Sequence, residues 1–162
     1  MNIILKNFQK RAIADLISAC RENKKEIVLK SCTGSGKTII LTHFIDRYLK
    51  ENAQTCFVWF TPGKGNLEDQ SKLKMDKYIH NSQTKLLSDV LTSGFDENDI
   101  AFINWEMVTN KKNTAIQDGE HENLMDRIRQ AHLDGIKFIL AVDEQHFNNT
   151  YKANEIIQLF NA

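Results

Sequence analysis

Residues 31–38 read Ser-Cys-Thr-Gly-Ser-Gly-Lys-Thr, directly after the apolar Ile27, Val28 and Leu29 and directly before Ile39, Ile40, Leu41, Phe44 and Ile45 at helical spacing. A glycine-rich turn between a strand and a helix aims backbone N–H groups and the positive end of the helix dipole at one point, which suits a polyphosphate. Gly34 and Gly36 permit the tight turn. Lys37 is expected to reach the β and γ phosphates and Thr38 to ligate Mg²⁺ through its hydroxyl, with Thr33 and Ser35 completing the cradle. Ser31 stands where the pattern G-x-x-x-x-G-K-[ST] has its first glycine, so the flanking strand and helix carry the identification. The competing reading is a chance glycine-rich turn.

The rest of the composition narrows the setting. A chain of 162 residues is long enough for one domain with a real core. Lys plus Arg and Asp plus Glu number 21 each, so no global basic field advertises nucleic-acid binding, and any such contact must be local. Cys20, Cys32 and Cys56 are odd in number and widely spaced, which fits reduced thiols in a cytoplasm better than a disulfide framework. No stretch approaches the roughly 18 apolar residues that a membrane span requires.

The order of apolar segments predicts an α/β fold. Strands are expected at 26–31, 55–60, 99–104 and 137–142, apolar at nearly every position as in a parallel sheet covered on both faces. Between them lie helical periodicities: Phe8 to Cys20, Ile40 to Tyr48, Leu67 to Tyr78, and Leu124, Ile128, Ala131. Residues 109–123, rich in Asn, Lys and Glu, read as a long loop. Pro62 follows a strand at the place where ligand loops open in such sheets.

Phe138 to Val142 runs into Asp143-Glu144-Gln145-His146, which sets two adjacent carboxylates at the end of a strand. Asp143 can share Mg²⁺ with Thr38, and Glu144 can orient or deprotonate a water that attacks the γ-phosphate of ATP. Taken alone, the same residues also read as a solvated acidic turn.

Together these residues resemble the superfamily 2 DNA and RNA helicases and translocases, which pair T-G-x-G-K-T with a D-E-x-H box. The resemblance implies a P-loop NTPase of RecA-like form, a mostly parallel sheet with helices on both faces, and 1–162 as a single partial helicase ATP-binding domain. Leu5 to Leu16 is similar to the glutamine motif of that group, which implies that Gln9 reads the adenine edge. Residues 61–71 stand in the place of the loop that grips the nucleic-acid backbone, implicating Thr61 and Lys64, and His146 would couple nucleotide state to strand binding. The wording of 61–71, with Ile103-Asn104-Trp105-Glu106, is similar to the restriction subunits of type III restriction-modification enzymes and suggests Asn104 as a further contact. Implied partners are DNA, a second RecA-like lobe and a modification (methyltransferase) subunit. In that group a further strand inserts between the phosphate-loop strand and the D-E-x-H strand. It is not found after Phe160, so the chain is expected to be truncated, with an incomplete sheet.

Each of these residues has a plainer reading. Gln9 could be a surface glutamine, 61–66 a strand-to-helix turn, and 104–106 a strand end closed by a packed aromatic, although Lys64 among glycines also makes a good phosphate clamp. His43, His80, His121 and His132 lack metal-ligand spacing and read as structural. A small P-loop kinase or GTPase is disfavoured by the D-E-Q-H wording and the absence of Asn-Lys-x-Asp. A non-catalytic nucleotide- or DNA-binding remnant remains a rival.

Overall fold

Two fully buried strands organise the molecule. In β1 (Thr55–Thr61) and β3 (Asp99–Asn104) every residue is buried, as expected of apolar runs covered on both sides. The computed structural model describes residues 4–32, 34–62, 67–79, 82–106, 114–142 and 151–161. With β2 (Gln83–Leu86) and β4 (Lys137–Val142) these strands form one sheet in the order β2-β3-β1-β4, and every pairing is parallel. The described helices are α1 (Asn7–Arg21), α2 (Lys37–Glu51), α3 (Leu67–Tyr78), α4 (Leu87–Ser93), α5 (Thr114–Leu133) and α6 (Tyr151–Phe160).

Side-chain alternation along the strands divides the core into two layers. Cys56, Val58 and Phe60 join Ala101 and Ile103 against Val90 of α4, Leu124 and Ile128 of α5 and Ile156 and Phe160 of α6. Phe57, Trp59, Ile100 and Phe102 face the other way, against Ile13 and Leu16 of α1, Ile40 and Phe44 of α2 and Met75 of α3. Phe44 meets Phe57 edge-on with ring centroids 5.6 Å apart, which fixes α2, and so the phosphate loop before it, on the face of β1. The result is an α/β sheet with helices on both faces, the class expected.

Three local expectations need correction. Residues 26–31 form no strand: Ile27 is 39% and Val28 55% exposed, and only Leu29 packs on the core. An apolar run becomes a strand only where an edge is offered for pairing, and here the sheet ends at β4, whose outer edge has no partner strand among the described residues. For the same reason β4 is only half-buried and not covered like β1. Residues 114–123 belong to α5, so the polar stretch is helical from Thr114 onward. Glu, Gln and Ala within it are good helix formers, and the buried Leu124, Ile128 and Ala131 anchor the C-terminal half.

Strand β2 has no apolar alternation, and polar bonds hold it. Asp76 of α3 accepts hydrogen bonds from Ser82 Oγ at 2.8 Å, Thr84 Oγ1 at 2.6 Å and Lys72 Nζ at 2.9 Å. Lys85 lies 2.6 Å from both Asp96 and Asp99, the latter only 2% exposed. Burial pushes the Asp99 carboxyl above its usual range, partly offset by the Lys85 ammonium.

Candidate nucleotide site

The phosphate loop is closed on itself. Gly36 caps α2 in the left-handed region, φ +84°, where glycine is favoured, and no side chain caps the helix. Among the described residues the N-cap therefore gives the first-turn N–H groups of α2 no side-chain acceptor, a condition that suits a helix N-terminus to an anion. The Lys37 ammonium folds back on the loop, donating to the Ser31 carbonyl at 3.1 Å and the Cys32 carbonyl at 3.4 Å. Ser35 N–H donates to the Cys32 carbonyl at 3.2 Å, and the Ser31 and Ser35 hydroxyls are in hydrogen-bond contact. A polyphosphate would take over Lys37 from two neutral carbonyls, exchanging ammonium–carbonyl hydrogen bonds for ones in which the acceptor is charged as well.

Gln9 is built into this loop. It is 6% exposed, while its neighbour Phe8 is 50% exposed, the reverse of what their polarity suggests. Its Oε1 accepts the Lys6 N–H at 2.9 Å, which closes the first turn of α1, and its Nε2 donates to the Ser35 carbonyl at 3.1 Å. A Cβ on Gly36 would lie 2.8 Å from that same Nε2, so the glycine makes room for the glutamine. The structure thus places Gln9 as a bracket between α1 and the loop. Contact with an adenine would draw on its second N–H or on an exchange of these bonds.

A second group of expected residues lies at the carboxyl ends of the central strands. Thr61 and Asn104 are register partners, both buried. Asn104 Oδ1 accepts the Glu106 N–H at 3.0 Å, and its Nδ2 faces the Glu68 carboxylate of α3 at 3.4 Å. Thr61 Oγ1 is buried without a hydrogen-bond partner among the described residues. Glu68, to which the sequence assigned no role, is the neighbour that decides which groups of Asn104 are open. Thr33, Lys64, Asp143, Glu144 and His146 lie outside the described residues.

For the metal, Thr38 is half-buried in the first turn of α2, and among the described residues no cluster of three or more His, Cys, Asp or Glu could hold an ion. The three cysteines form no disulfide, and burial raises the thiol pKa values of Cys20 and, well above the usual range, of Cys56. His132 serves packing, with its ring 5.2 Å from that of Phe138 and Nε2 at 2.8 Å from the Leu159 carbonyl.

The family model for the res subunit of type III restriction enzymes matches residues 2–162. The chain belongs to that family. Comparison with curated proteins finds no match. Res-subunit membership makes the domain a helicase-type, ATP-dependent kind of enzyme, of a family that generally uses ATP and Mg²⁺ and works with nucleic acid and a modification subunit. Among the described residues no helix is long and apolar enough to cross a membrane.

Proposed function

We propose that this chain is a RecA-like motor lobe that hydrolyses ATP in step with binding DNA, as part of a type III restriction enzyme in the cytoplasm. The observation that carries it is the phosphate loop: a glycine-capped helix N-terminus, and a lysine that among the described residues bonds to two backbone carbonyls. On this reading the backbone N–H groups of Thr33, Gly34, Ser35 and Gly36 bind the phosphates together with the Lys37 ammonium. Thr38 and Asp143 hold Mg²⁺. Glu144 activates water, Gln9 lies toward the adenine, and His146 links nucleotide state to the strand. Thr61, Lys64 and Asn104 hold the DNA backbone without reading bases, since a lysine and glycine amides offer no base-edge pattern. Bound ATP supplies the phosphoryl group whose transfer to water drives the motor.

Removing the Lys37 ammonium deletes the one side-chain cation of the loop. Lys37→Ala is expected to weaken ATP binding by tenfold or more, given about 1.5–3 kcal/mol for a charge-assisted hydrogen bond. Calorimetric titration measures it, and unchanged affinity would rule out this loop as the nucleotide site. A second reading, binding with little turnover, is favoured by the absence of a strand at 26–31 to anchor the loop. DNA-stimulated ATPase activity of the chain alone separates the two.

A further inference from the structure

The serine at the position of the motif's first glycine has a partner. Its hydroxyl meets the Ser35 hydroxyl, and its carbonyl accepts the Lys37 ammonium at 3.1 Å. Ser35 is held at all three of its polar groups: the N–H by the Cys32 carbonyl at 3.2 Å, the carbonyl by Gln9 Nε2 at 3.1 Å, and the hydroxyl by Ser31. Glycine at position 31 could make none of the hydroxyl contact. The bonds that close the loop are the ones a polyphosphate must displace, because they occupy the Ser35 N–H and the Lys37 ammonium.

We propose that Ser31 is a positioning residue for the nucleotide site: its hydroxyl latches Ser35 and holds the phosphate loop in its self-closed form, so that it sets the fraction of molecules open to a nucleoside triphosphate. The inference rests on the nucleotide-site reading above. The latch adds nothing to the bound state, where phosphate oxygens replace the loop's own carbonyls as acceptors for Lys37. It stabilises the closed state alone, and a ligand that binds only the open state sees its affinity reduced by the open fraction. Cutting one neutral hydrogen bond shifts such an equilibrium about three- to tenfold.

The test titrates the full chain with MgATP and follows association by stopped flow. Ser31→Ala is expected to bind ATP about three- to tenfold more tightly, through faster association with dissociation unchanged. Ser31→Thr, which restores the hydroxyl, returns the affinity toward that of the wild type. Ser35→Ala gives the same gain as Ser31→Ala, and the double variant no more, because both cut one bond. Equal or weaker binding by Ser31→Ala, or additive gains in the double variant, overturns the latch while the nucleotide site stands. Wild-type binding that Lys37→Ala leaves intact, or no wild-type binding, overturns the nucleotide site and the latch together.

Discussion

Strands β1 and β3 are buried along their whole length and have a parallel neighbour on each side, whereas residues 26–32, which lead into the phosphate loop, pair with no strand among the described residues. The first region is held by apolar area: Phe57, Trp59, Phe60 and Phe102 are all but inaccessible to solvent. The second is held by a few polar contacts from Gln9, Ser31 and Lys37 and by the packing of Leu29 and Ile40. Net hydrogen bonds contribute about 0.5–1.5 kcal/mol each, against about 1.5–3 kcal/mol for burying one large apolar side chain. The fold therefore persists when the loop rearranges. A phosphate site that must open for its ligand belongs in the region of lower local stability.

The contrast breaks most severely at Trp59, which stacks near Phe102 with centroids 5.5 Å apart. Trp59→Ala is expected to cost about 3–5 kcal/mol in urea unfolding, because a rigid sheet core cannot collapse into the cavity. Gly36→Ala strikes the soft region. The φ of +84° and the approach of Gln9 Nε2 both oppose a Cβ, so the variant loses about 1–2 kcal/mol in thermal unfolding and most of its ATP binding.

A smaller effect tests the polar margin of the sheet at β2. Burial pushes the Asp76 carboxyl up, but hydrogen bonds from Thr84, Lys72 and Ser82 bring it below the usual carboxylate range. A depressed folded-state pKa means that its contribution is fully present above about pH 4 and is lost as pH falls through the lower folded value. Asp76→Asn is expected to cost about 1 kcal/mol at neutral pH and to flatten the acid limb of stability against pH, with the side chain's one-third exposure keeping the effect small. An unchanged acid limb would remove Asp76 from the account.

Strands 55–60, 99–104 and 137–142 and helix Leu67 to Tyr78 were legible because apolar runs and helical periodicity are local signals, and the structure places β1, β3, β4 and α3 within a residue of them. Residues 26–31 misled because the run is apolar enough for a strand, yet strand formation depends on a neighbour elsewhere in the chain. Strand β2 was invisible for the opposite reason, since Gln83, Thr84 and Lys85 are polar, and the carboxylates that hold Thr84 and Lys85, those of Asp76, Asp96 and Asp99, lie outside the strand. At the site, the glycines and Lys37 could be read from spacing alone. The burial of Gln9 and the Ser31–Ser35 contact could not, although the departure from glycine at position 31 was the available signal.

Hydrogen–deuterium exchange on the full chain, with and without MgATP, tests the division between a fixed sheet and an opening nucleotide loop most directly. The amides of 55–61 and 99–104 are expected to exchange slowly in both states, while those of 26–32 and 34–40 exchange fast without nucleotide and slow markedly with it. Slow exchange at 26–32 in the absence of ATP, or nucleotide-induced protection that leaves 34–40 untouched, would contradict the account.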